Sequence, residues 1–124
     1  MSALTAFLVE DNAIIRENLI GALQEMSPFE VVGYAEDERA AIAWLADHSN
    51  RCDLLIIDIF LKTGSGLGVL RAAQNLGTAK TKIVLTNYAT SDVREGCERL
   101  GADRVFDKSN QIDELFAYCA ELAA

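Results

Sequence analysis

The sequence predicts one α/β domain in which five parallel strands carry helices on both faces. Five short apolar runs rich in β-branched residues each precede a longer stretch with helical spacing, and strict alternation of this kind builds a parallel sheet. The runs are also continuously apolar, as in Leu54, Leu55, Ile56 and Ile57, which fits strands buried on both sides. No linker or shift in composition divides the 124 residues, so 1–124 is expected to be a single domain.

The first strand is LTAFLV, residues 4–9, and the stretch behind it places Ile15, Leu19, Ala22, Leu23 and Met26 at helical intervals. EVVGYA (30–35) is the second strand, followed by the second helical stretch. The third, DLLIID (53–58), is the most hydrophobic and ends in an acid. Gly64, Gly66 and Gly68 then lead into a helix that starts near Gly66 and stops at Gly77. KIVLT (82–86) is the fourth strand, and Val93, Cys97 and Leu100 mark its helix. DRVF (103–106) is the fifth, before a last helix carrying Ile112, Leu115, Phe116 and Cys119. Ser109 and an acidic first turn are expected to cap that helix. The order of the strands is not written in these patterns; five βα units most often take the flavodoxin-like order 2-1-3-4-5.

Composition removes several function classes. A formal net charge of -8 leaves no basic surface for nucleic acid. Cys52, Cys97 and Cys119 are scattered without a CxxC pair, which points to reduced thiols and not to a disulfide frame or zinc site. His48 is the only histidine and lies in the polar segment ADHSN, where a solvated side chain is expected. No apolar run is long enough to cross a bilayer, and two acids arrive before a signal-peptide core forms, so a cytoplasmic location is expected.

The stretch LLIIDIFLKTGSGLG poses a choice between a nucleotide-binding turn and a carboxylate site. Its glycines read GxGxG with Val69 in the sixth position, and the strand that follows ends in VLTNY, without the acid a dinucleotide site needs. No GxxxxGK[ST] pattern occurs. The glycines are therefore expected only to turn the chain. The carboxylates say more. Glu10 and Asp11 end the first strand, Asp58 the third, Thr86 the fourth, and Asp107 and Lys108 the fifth. In a parallel sheet these ends share one edge, the edge at which open α/β folds bind ligands. Clustered carboxylates repel unless a cation sits among them, and hard oxygen donors favour Mg²⁺.

With those pieces in order, the sequence resembles a response-regulator receiver domain of bacterial two-component signalling over essentially its whole length. FLVEDN carries the acidic pair, LLIIDIFLKTGSGLGVL the acceptor aspartate, IVLTNYA the switch threonine and GADRVFDKS the lysine. The resemblance implies the (βα)5 receiver fold and a phosphorylatable Asp58. It implies Mg²⁺ on Asp11, Asp58 and the Phe60 backbone carbonyl, with Glu10 acting through water. Lys108 and Thr86 would serve the phosphoryl group. The implied donor is a sensor histidine kinase or phosphotransfer protein. The implied output is a downstream protein or a homodimer, met through the face of helix four, strand five and helix five. Such a domain is a signalling module that catalyses only its own phosphorylation and dephosphorylation. Phe60 and Tyr88 occupy the two positions that flank the approach of hydrolytic water in receivers.

Several positions depart from the commonest receiver pattern. Ser109 follows Lys108 where proline is frequent, and Asn87 is larger than the usual residue after the threonine. The aromatic that normally moves with the threonine is replaced by Val105, while Phe106 is sent by strand alternation to the other face as plain core. Two rival functions weigh less. A haloacid-dehalogenase-type phosphatase wants a general acid two residues after the nucleophile, and Phe60 stands there. A degenerate receiver acting only as a scaffold has no need of the intact acids, threonine and lysine.

Overall fold

The computed structural model describes residues 4–26 and 29–124. Five strands alternate with five helices: β1 (Leu4–Val9), α1 (Ala13–Glu25), β2 (Phe29–Ala35), α2 (Glu38–Ala46), β3 (Cys52–Ile57), α3 (Gly66–Leu76), β4 (Ala79–Thr86), α4 (Ser91–Arg99), β5 (Arg104–Asp107) and α5 (Ile112–Ala123). The strands form one parallel sheet in the order 2-1-3-4-5. The winding reverses between the adjacent β1 and β3, which opens a crevice at their C-terminal ends.

Alternating side chains of each strand feed two cores. Phe7, Val9, Leu55, Ile57, Val84 and Val105 pack against α2, α3 and α4 through Leu45, Leu70 and Cys97. Ala6, Leu8, Leu54, Ile56, Leu85 and Phe106 pack against α1 and α5 through Leu19, Leu23 and Leu115. Each fully buried Leu, Ile or Phe contributes roughly 1.5–3 kcal/mol, so this two-sided burial fixes the height of every strand end. Phe106 is core on the α5 side, opposite Val105, as alternation requires. All three cysteines are free and buried.

Asn12, Asp37, Ser65 and Thr90 cap α1 to α4 with their side chains. Ser109 does not cap α5, contrary to expectation. Its backbone N–H donates to Asp107 Oδ1 at 2.7 Å, which folds residues 107–109 into a turn and delays the helix to Ile112. β4 begins three residues earlier than its apolar run, and after the buried Ala79 those added residues are an exposed Lys80 and a half-buried Thr81. The glycines also need correcting. Gly64 turns the chain at φ +81°, but Gly66 and Gly68 provide close approach. A Cβ on Gly66 would strike the backbone of Asp58 and Ile59, and one on Gly68 the carboxylate of Glu38.

Candidate functional site

β1 and β3 deliver the acids. The Asp58 N–H donates to Val9 O at 2.9 Å and the Glu10 N–H to Ala35 O at 3.0 Å, so the sheet ladder continues past the strand ends and sets both side chains. Glu10 and Asp58 are buried. Carboxylate oxygens of Glu10, Asp11 and Asp58 all lie within 4.8 Å of one another.

β5 delivers the cation. The Lys108 N–H donates to Thr86 O at 2.9 Å, which sends the lysine side chain back over the edge of the sheet. Its Nζ sits 2.6 Å from Glu10 Oε1 and 2.9 Å from Asp58 Oδ2, with all three side chains almost fully covered. Buried charges survive only when paired and hydrogen-bonded, and the remaining oxygens are served. The Asn12 N–H donates to Glu10 Oε2 at 3.1 Å and the Phe60 N–H to Asp58 Oδ1 at 3.1 Å. Burial pushes the Glu10 carboxyl above its ordinary range, against the opposing bonds from Lys108 and Asn12. Burial by itself would lower Lys108, but its bonds to Glu10 and Asp58 prevail and raise it.

Asp11 completes the cluster from its rim. Its Oδ2 accepts the Lys62 N–H at 2.6 Å, tying the β1–α1 loop to the β3–α3 loop. Glu38 holds the other end of that loop by accepting the Ser65 N–H at 2.8 Å. One ammonium serves two of the three carboxylates, Glu10 and Asp58, and no ion pair to Asp11 occurs among the described residues. This hard, over-charged oxygen set fits a divalent cation such as Mg²⁺.

Thr86 is fully buried at the end of β4, and its Oγ1 accepts the Tyr88 N–H at 3.2 Å. Tyr88 and Phe60 are 60% and 53% exposed, and their rings meet edge to face with centroids 5.0 Å apart. Asp107 stays outside the cluster, occupied with its turn.

Two contributors are not among the residues picked out from sequence. Arg16 buries its guanidinium beneath the site, donating to Glu10 O at 3.0 Å, pairing with Glu36 at 3.4 Å and lying 4.1 Å from the centre of the Tyr34 ring. Its signal was legible: with Leu19 and Leu23 it falls on the buried stripe of α1, where a charge needs a reason. Glu38 left no such signal, because its role depends on how closely α2 approaches the β3–α3 loop.

Comparison with known proteins agrees with this geometry. The family model for the response regulator receiver domain matches residues 6–120. A protein-glutamate methylesterase/protein-glutamine glutaminase of Myxococcus xanthus is 28% identical over 127 residues, covering 100% of this chain and 36% of its own length. The chain spans less than half the length of the curated relatives it matches. Among solved structures, the response regulator domain of Thermotoga maritima CheB superposes with a TM-score of 0.84 at 18% identity, covering 98% of this chain and 96% of that one. The phosphorylated cyanobacterial phytochrome response regulator RcpA superposes with a TM-score of 0.79 at 26% identity, covering 98% and 91%.

Proposed function

This chain belongs to the response-regulator receiver family, and on that premise we propose that it accepts a phosphoryl group on Asp58 in a Mg²⁺-dependent reaction and changes its interaction surface in consequence. The observation that carries the proposal is the Lys108 ammonium held between Glu10 and Asp58 inside a three-carboxylate cluster. A structural ion pair needs one acid; this lysine faces two, with a third alongside.

A carboxylate oxygen of Asp58 would attack the phosphorus of a phosphohistidine on a sensor kinase or phosphotransfer protein. The O–P bond forms as the P–N bond breaks, and the imidazole leaves with the electron pair. Asp11, Asp58 and the Phe60 carbonyl would hold Mg²⁺, with Glu10 acting through water; the metal would supply neutralisation of the phosphoryl oxygens. Lys108, already 2.9 Å from Asp58, would move onto a phosphoryl oxygen with little reorganisation. The Thr86 hydroxyl would turn toward the same group and release the Tyr88 N–H it now accepts.

Residues 1–124 are read as one receiver domain working in the cytoplasm, and no described helix is long and apolar enough to cross a membrane. Its output would be a protein target or a second copy met through the α4–β5–α5 face, with no nucleic-acid contact by this domain. The test is titration with beryllofluoride, a phosphoryl mimic, followed by NMR. Binding that requires Mg²⁺ and perturbs Asp58 and Thr86 is expected; metal-independent binding, or none, would refute the assignment.

A further inference from the structure

The aromatic that links switch threonine to output face in other receivers is absent here, since Val105 occupies its place. Arg94 on α4 joins the same parts by another route. Its Nε donates to Ala89 O at 3.0 Å, in the loop that follows Thr86. Its Nη1 donates to Val105 O at 2.6 Å on β5, and its Nη2 to Gln111 Oε1 at 2.6 Å at the start of α5. Gln111 Oε1 also accepts the Asp107 N–H at 2.9 Å, which fastens β5 to α5 next to Lys108. One planar guanidinium therefore spans the β4–α4 loop, β5 and α5, and its fixed fork gives each acceptor its own donor.

We propose that Arg94 is a positioning residue that couples Thr86 to the α4–β5–α5 face and holds the unphosphorylated arrangement. The inference rests on Thr86 being the residue that moves. The β4–α4 loop is pinned at two successive points, the Tyr88 N–H on Thr86 Oγ1 and the Ala89 carbonyl on Arg94 Nε. Turning the threonine hydroxyl toward a phosphoryl group frees the first pin and loads the second. Because the donors sit on one rigid group, displacing Ala89 O disturbs the bonds to Val105 O and Gln111 together. Arg94 thus opposes the switch and transmits it. By linkage, loosening the clamp must ease binding of whatever turns the threonine.

The test uses the intact chain with Mg²⁺ and beryllofluoride. Arg94→Met is expected to bind the mimic about three- to tenfold more tightly, the equivalent of a hydrogen bond or two in the unliganded state. In the parent, mimic binding is expected to shift the side-chain amide resonances of Gln111; in Arg94→Met that shift should disappear while the Thr86 shift remains. Arg94→Lys, which keeps the charge but cannot reach three acceptors, should behave like the methionine variant and serves if that variant does not fold. An affinity that is unchanged or weaker, or a Gln111 response that persists, would overturn the proposal. Failure of the parent to bind the mimic would instead sink the phosphoacceptor assignment itself.

Discussion

Lys108 is the residue on which the metal-free site depends. Removing it would leave Glu10 and Asp58 buried beside each other without a cation, and breaking such a pair costs about 3–5 kcal/mol. Lys108→Ala is therefore expected to unfold at much lower denaturant in EDTA, to regain part of that loss in Mg²⁺, and to respond poorly to beryllofluoride. Equal stability of variant and parent in EDTA would contradict the ion-pair geometry. The pH dependence carries its own sign. Its partners raise the Lys108 pKa above the ordinary 10.5, so its stabilisation is fully present below that value and is lost only as pH climbs through the raised one. Asp11 behaves differently. Asp11→Asn keeps an oxygen for the Lys62 N–H but removes one like charge, so stability in EDTA should rise by up to about 1 kcal/mol while Mg²⁺ binding is abolished. A lower melting temperature in EDTA would show that the acids do not repel.

At the scale of elements, the loops after β3 and β4 are proposed to govern how long a phosphoryl group lasts on Asp58. Phe60 and Tyr88 project from these loops and touch edge to face. Two ring faces covering the phosphoryl group would disfavour an ordered attacking water, with the Tyr88 hydroxyl the one polar atom the two side chains carry. Slow self-dephosphorylation is expected, and combining Phe60→Asn with Tyr88→Glu should accelerate loss of label at constant metal. No acceleration would mean the rings serve only as surface. Sequence pointed to these two residues because their spacing from Asp58 and Thr86 is local. It also placed every strand, since two-sided burial leaves continuous apolar runs. What it missed depends on long-range closeness: the Glu38 contact with the β3–α3 loop, the tight seat of Gly66 against Asp58, and the three-way reach of Arg94. The start of β4 was missed for a different reason, because Thr81 pairs with Leu54 in the sheet without being buried as core, and the exposed Lys80 before it breaks the apolar run.

For the whole molecule, the four acidic and switch positions Glu10, Asp11, Asp58 and Thr86, scattered through 124 residues, come to one sheet edge because the order 2-1-3-4-5 sets β1 beside β3 and β3 beside β4. The Glu10–Asp11–Asp58 cluster follows from topology, and the lysine joins it from the neighbouring β5 turn. A charge change at that edge should be felt on the α4–β5–α5 side, where the Thr86 loop and the Arg94 bonds lie. Amide exchange on binding the phosphoryl mimic is expected to change there; a change confined to α1 would contradict that direction of output. The central claim is that Asp58 is the phosphoacceptor, and intact-mass measurement after incubation with acetyl phosphate and Mg²⁺ addresses it most directly. The parent should gain one phosphoryl group, lost in EDTA controls, and a folded Asp58→Asn variant should gain none. A parent that stays unmodified, or a variant labelled to the same extent, would contradict the account.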